Sequence, residues 1–553
     1  MRWFLSVALA VALVALQAGC GKRETRVEYG TRHKILHLTR GGEPQELDPQ
    51  IVIGQTENYI VLALFEGLVV EDPRDLHPIP GVAERWETSP DSLTYTFFLR
   101  RTARWSNGQP VTARDFLASY QRILTPSIAS QYAYMLYVVK NAEAYNTGKL
   151  TNFTEVGFQA PDDYTLRITL GSPTPYFLSL INHMSWFPVH VPTIAQYGDP
   201  FNRSTVWTRP GRIVGNGPFV LTDWKVNYQV VMKKSPTYWD ATQVHLQEIH
   251  FYAMENQDAE ERAFRAGQLH VNFILPSTKI DRYQREHSKL LQIVPHLATY
   301  FYRFNVTKPP LRDRRVREAL NIAIDRESLV RNVTRGGQLP ASSVVPPGTA
   351  GYTSRTSLST NLARARQLLR EAGFPDGQGF PPIQILYNTM EDHRLIAEAI
   401  QQMWKNNLGI DARLVNEEWK VYLDSMHQLK YDVARGGWVG DYVDPNTFLD
   451  CFVTDGGNND TGWSNAEYDR LIKEAANTRD PVERYEIFHR AEAILMTELP
   501  ILPIYYYTRV YVQRPELRGW YPTLNDSHPY KFVDLDEHPP ADPPARPLAS
   551  GSP

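Results

Sequence analysis

With 553 residues the chain is too long for one hydrophobic core, since cores stop growing near ~250–300 residues, and it divides into several domains. Its 58 basic and 61 acidic residues leave a net charge of -3, so no basic surplus recruits nucleic acid, and 42% apolar with 22% charged residues describes an ordinary soluble globular protein. Two cysteines, Cys20 and Cys451, are too few and too far apart for a disulfide framework or a thiolate metal site.

The first element is the apolar run WFLSVALAVALVALQAGC after Arg2, a secretory-signal shape short of the ~20 residues of a membrane span. Its Ala18-Gly19-Cys20 ending resembles a bacterial lipobox, which implies cleavage before Cys20 and a lipid on that residue; Gln17 departs from the pattern, with Leu16 one place early. The body is then expected outside the cytoplasm, and Cys451 reads as a small buried side chain. Residues 21–34, charged and polar, read as a tether, and the Pro-, Ala- and Ser-rich residues 536–553 as a disordered tail.

Between these ends strands and helices alternate without an internal repeat. TYTFFLR (94–100) predicts a strand, and the helix after it starts at Thr112 and Asp115, which have capping-box spacing. YTLRITL (164–170) and GPFVLTDWKVNYQVVMKK (217–234) alternate like antiparallel strands. DRRVREALNIAIDRESLVRNV, LARARQLLREAG and LIAEAIQQMWKNNLG carry helical periodicity, the last two closing on Gly. The fold class is mixed α/β with several sheets.

No nucleophile elbow, zinc-protease helix, phosphate loop or dinucleotide turn occurs, and His183 with His190 reads as two structural histidines. The stretch ARGGWVGDYVDP (434–445) is more informative. Glycines 436 and 437 bare the backbone of a strand, which suits the close approach of another main chain that docks by adding its own hydrogen bonds. Were the strand to continue, Arg435, Gly437, Val439 and Asp441 would share a face, with Arg435 and Asp441 ~20 Å apart at ~3.3 Å per residue. That span fits a short extended peptide, its ammonium on Asp441 and its carboxylate toward the Arg435 fork. An ordinary surface ion pair beside a bulged strand is the competing account.

The segment NEEWKVYLDSMHQLKYDVARGGWVGDYVDPNTFLD (416–450) is similar to the ligand-binding segment of periplasmic oligopeptide-binding proteins, the peptide/nickel class of ABC-importer solute receptors. LDPQ, LFEGLVVED, GVAERWE, WSNGQPVTARDF, NGPFVLTDW, YWD, LRDRRVREALNIAIDRE, LPASSVVPP and PIYYYTRVYV stand in the family's order across residues 35–530. The resemblance implies a bilobal periplasmic-binding-protein type II fold with an inserted domain. Domain I would be 35–65 plus 191–300 plus 508–535, domain II 66–190 and domain III 301–507, with the ligand between I and III. Asp441 would hold the peptide amino group, while Arg435 and His393 would meet carboxylates of peptides of different length. Trp419, Tyr132, Gly437 and Trp438 would line the site, with Val439, Ile53, Gly54 and Gln55 completing the set.

Three departures stand out. Ile53 replaces a cleft Glu, Met426 replaces an Arg near the site, and Val439 with Ala298 replaces a cysteine pair, so no such bridge is possible. The expectation is a monomeric receptor, not an enzyme, with no cofactor or metal, which captures short peptides and hands them to an ABC permease with cytoplasmic ATPases. A dipeptide, murein-peptide, nickel-chelate or glycan receptor, a secreted peptide hydrolase, and a sensor or chaperone without a transporter are the alternatives.

Overall fold

The computed structural model describes residues 24–39, 41–203 and 206–539, with the backbone alone at 391, 419 and 420. The leader and Cys20 lie outside the described residues, as does the tail from residue 540 onward.

The three large sheets mark out three bodies, packed around six hydrophobic clusters among the described residues. The first is built on a sheet in which Ile35–Thr39 pairs in parallel with Glu248–Tyr252, followed by Gln229–Lys234 and Phe219–Lys225 in antiparallel order. The predicted alternation of 217–234 is thus a hairpin, and its inward residues Phe219, Leu221, Val230 and Met232 enter a core with Leu36, Leu38 and Ile249. The second body carries an antiparallel sheet in the order Ala83–Thr88, Thr94–Leu99, Thr165–Thr169, Phe158–Asp162. Across it packs the helix Ala113–Leu124, whose Thr112 N–H reaches Asp115 at 2.7 Å in the expected capping box. Arg122 of that helix, fully buried, grips Asp48 of the first body at 2.7 Å and ties the two together.

The third body holds a six-stranded sheet, in the order Leu339–Pro340, Ile501–Val512, Leu291–Phe304, Val433–Val439, Ile383–Asn388, Ala412–Glu417. The parallel pair Ile383–Asn388 and Ala412–Glu417 needs a crossover, and the helix Glu391–Leu408 supplies it. Ile396, Ala397, Ile400, Trp404 and Leu408 repeat at helical spacing and bury against the sheet, and Gly409 at φ 68° ends the helix where only a residue without Cβ is unstrained.

Two long strands run through both lobes. Leu291–Pro295 pairs with Thr508–Val512 beside the first body, the register then shifts, and Thr299 onward pairs with Tyr506 and its predecessors inside the third body. A bulge therefore sits where the strand pair passes from the first body to the third.

Two expectations are corrected. Arg26–His33, inside the supposed tether, is a helix with a complete Thr25/Glu28 capping box, and it buries Val27, Gly30 and Thr31. Its charged residues face outward, which is why composition alone read as disorder. At the other end Asp536 is held, its N–H donating to the Glu516 carbonyl at 2.8 Å, so the ordered chain runs past the start of the expected tail.

Candidate functional site

The glycine-bearing strand Val433–Val439 has a partner on both sides only as far as Ala434. Leu291–Phe304 accompanies it to Val439, but Ile383–Asn388 pairs with Val433 and Ala434 alone. Among the described residues, one strand edge from Arg435 to Val439 is left without a neighbouring strand, and an extended chain can add itself there. The two glycines also serve the protein itself. A Cβ on Gly436 would fall 2.8 Å from both Phe301 and the Arg303 guanidinium, and one on Gly437 3.3 Å from the Arg435 guanidinium. The bare backbone is thus required by packing beneath the strand as well as by access above it.

The strand ends at Val439, so Asp441 does not continue its alternation. Gly440 donates to the Leu297 carbonyl at 2.8 Å, the Asp441 N–H reaches Thr447 Oγ1 at 3.1 Å, and Asp444 is clamped by Arg484 through two 2.7 Å bonds. The charges of the motif divide by role: Asp444 pins the turn, and Asp441 faces open space.

That space is a chamber of about 390 Å³ walled by all three bodies: Ile53, Gly54, Gln55 and Tyr59 from the first, Tyr132, Tyr134, Asn182 and His183 from the second, Trp438, Val439, Gly440 and Asp441 from the third. A second chamber of about 300 Å³ shares Gln55 and Val439 with it and runs past Ala298, Met390, Asp392, Tyr505 and Tyr507. Sharing Gln55 and Val439, they form an elongated cleft that reaches the free edge at Trp438 and Val439.

Asp441 carries the electrostatics. Burial lifts its carboxyl from 3.8 to about 6, against the bond it accepts from Tyr134 Oη at 3.3 Å. Burial, then Asp441 and Asp444, push Asp450 up to about 8, so near neutrality Asp441 alone of this pair bears charge. Burial and then Asp441 raise Tyr132 to about 12, which keeps it a neutral donor. His183 is lowered to about 4 by burial, and its Nδ1 is taken by Ser185 Oγ at 2.8 Å. His190 is likewise satisfied by Thr193 and Gln109, so both histidines are structural. The Trp438 indole nitrogen is buried without a hydrogen-bond partner, a donor available to a ligand carbonyl.

The remaining sequence-derived residues fall in different places. Ile53 is 54% exposed at the cleft mouth, and Gly54 begins the helix Gln55–Leu64. Arg435 and His393 line neither chamber: Arg435 Nη2 donates to Tyr507 Oη at 2.7 Å and its guanidinium lies over the Tyr300 ring, while His393 Nδ1 sits 3.3 Å from Tyr300 Oη. Burial and then Arg435 lower His393 to about 3, so it is uncharged. Both stand behind a tyrosine wall. The Trp419 side chain lies outside the described residues. Ala298 and Val439 are direct cross-strand partners, and Met426, in the helix Trp419–His427, is buried with its sulfur 3.8 Å from Arg303 of the strand Leu291–Phe304. Cys451 is buried, its thiol against the Thr447 carbonyl. Sequence reasoning missed Tyr134, Asn182 and Glu71; Tyr134 stands two places after Tyr132, and Glu71 falls inside LFEGLVVED, but neither position signals its orientation.

Residues 77–460 match the model of bacterial extracellular solute-binding proteins, family 5 (middle region). The oligopeptide-binding protein OppA of Bacillus subtilis is 36% identical over 535 residues, 94% of this chain and 96% of the relative. The chain belongs to family 5 of the bacterial extracellular solute-binding proteins. As a member of that family it is a binding protein and not an enzyme, and its α/β bilobal fold is the family's. Among solved structures, the Escherichia coli murein tripeptide binding protein MppA superposes with a TM-score of 0.79 at 35% identity, covering 91% of this chain and 99% of that one. Haemophilus influenzae OppA in complex with the peptide RPPGFSPFR does so with a TM-score of 0.76 at 32% identity, with the same coverage. For this family 5 receptor the cleft between lobes is therefore the place to seek the solute.

Proposed function

We propose that this family 5 receptor captures short peptides in extended form between its lobes and delivers them to an ABC permease. The observation that carries the reading is a buried, ionisable Asp441 beside an unpaired strand edge in an elongated cleft. The peptide's α-ammonium pairs with Asp441, its main chain bonds to the edge between Arg435 and Val439, and Tyr132 and Trp438 offer neutral donors. Side chains project into two roomy chambers, where water adapts to many shapes at modest cost, so tolerance of sequence follows. Arg435 serves the far end only if Tyr507 moves aside; otherwise the carboxylate stays solvated in the second chamber.

The same reading keeps a three-domain division, with the helix Arg26–His33 added to domain I and with the three large sheets in its support, and a lipid anchor on Cys20 of a monomeric, extracytoplasmic protein. Native mass spectrometry of the purified protein tests it. Peptides released on denaturation are the expected result; a single glycan, chelate or bile-acid-like ligand would redirect the assignment. Sustained turnover of a peptide pool would overturn it.

A further inference from the structure

The first chamber has carboxylates and no cation. Among the residues that line it, Glu71, Asp441 and Asp526 are the charged ones, and Asp526 is balanced by Arg509 at 2.9 Å. Two carboxyls remain without a paired cation, and the peptide ammonium of the function proposed above accounts for one. The other, Glu71, accepts from Asn525 Nδ2 at 2.8 Å. Burial holds its carboxyl above the ordinary range, against hydrogen bonds from Ser527 and Asn525, and no cation figures among its neighbours.

An independent feature stands beside it. Asn182 Oδ1 is buried without a hydrogen-bond partner, while its amide nitrogen is directed at the Leu178 carbonyl at 3.4 Å. Glu71 and Asn182 both line the chamber and also a narrow side pocket of about 40 Å³ whose other walls include Leu62, Val69 and Phe187, so they stand where the two join. Lys531 touches that side pocket, but it is committed to Asp240 at 3.6 Å and Glu66 at 4.0 Å. A side chain that crosses the chamber to this junction therefore meets a carboxylate and an unused amide oxygen, which match a long alkyl stem with a cationic head.

We propose that Glu71 and Asn182 form a subsite for the side chain of the peptide's first residue, so that the receptor prefers an N-terminal lysine, ornithine or arginine. The inference rests on the proposed peptide function and fixes its substrate class more narrowly. The ligand head is then dicationic: the α-ammonium lies on Asp441 and the side-chain cation on Glu71, with Asn182 Oδ1 accepting a second of its protons.

Calorimetric titration of the full soluble protein with Lys-Ala-Ala and norleucyl-Ala-Ala at pH 7 tests this, since the two peptides differ by the charged head alone. The lysyl peptide should bind about tenfold more tightly, the scale of a charge-assisted hydrogen bond. In Glu71→Gln that ratio should fall to within about twofold, and in Asn182→Leu it should fall at least about threefold. Equal affinities for the wild type, or a ratio undiminished in both variants, overturns the subsite and leaves the peptide function standing. Failure of both peptides to bind the wild type contradicts the peptide function itself.

Discussion

At the residue scale the account turns on one carboxylate kept in an unfavourable place. Folding holds Asp441 at about 6 against an ordinary 3.8, so the native chain retains a proton that the unfolded chain gives up. Stability is therefore lost as pH rises from about 4 to about 6, and the full cost stands at pH 7. Asp441→Asn should stabilise the empty protein by on the order of 1–3 kcal/mol at pH 7 while abolishing peptide binding, a pairing read by thermal unfolding and titration together. A stabilised variant that still binds would separate the carboxylate from the ligand. The same shift sets a pH profile. The peptide α-ammonium stays charged between pH 5 and pH 7, while Asp441 takes up its proton over that range, so affinity should fall about tenfold from pH 7 to pH 5. A flat profile by titration at fixed ionic strength would contradict it.

At the element scale the glycine-bearing strand combines two demands that the sequence could not tell apart. The bare backbone at 436 and 437 was legible, as was the strand itself, because glycine in an apolar run is rare without a close approach. What approaches was not legible: below the strand it is Phe301 and Arg303 of the neighbouring strand, more than a hundred residues away in the chain. Gly436→Ala should accordingly destabilise the protein by about 1–3 kcal/mol through overpacking, visible as a lowered unfolding temperature. An unchanged temperature would mean the sheet yields there. The turn after Val439 was misjudged for a similar reason. Alternation predicts that Asp441 shares a face with Arg435, but the Thr447 and Arg484 contacts that bend the chain come from distant elements. The helix at Arg26–His33 is the converse case, since its Thr25/Glu28 spacing was present in the sequence and was masked by charge.

For the whole molecule, the second and third bodies meet across the cleft mouth. Tyr176 and Tyr442 stack at 4.7 Å with their rings 8° apart, Tyr134 reaches Asp441, and the Arg479 guanidinium binds the Pro90 and Asp91 carbonyls. These contacts join lobes that share the long strand pair with its bulge, and they favour the closed arrangement that a ligand also favours. Tyr176→Ala removes the stack without touching the cleft lining and should weaken peptide affinity by about 0.5–1.5 kcal/mol, with a larger decrease in radius of gyration on binding by small-angle scattering. Affinity equal to wild type would show that the stack is indifferent to closure. Class and order of elements could be read from the ordered motifs, because each is a local pattern, whereas Ile53, Gly54, Gln55 and Tyr132 came from the family resemblance alone. The orientation of Arg435 and His393 behind Tyr300 and Tyr507, and of Glu71 and Asn182 into the chamber, depends on how three bodies close on one another, which no local pattern records. The most direct measurement is calorimetric titration of the wild-type protein with tri-alanine and its N-acetyl derivative at pH 7. Pairing of the free amine with Asp441 predicts binding by the first and a loss of several kcal/mol, typically ~3–5 for a broken buried charge pair, for the second. Equal affinities would contradict the account.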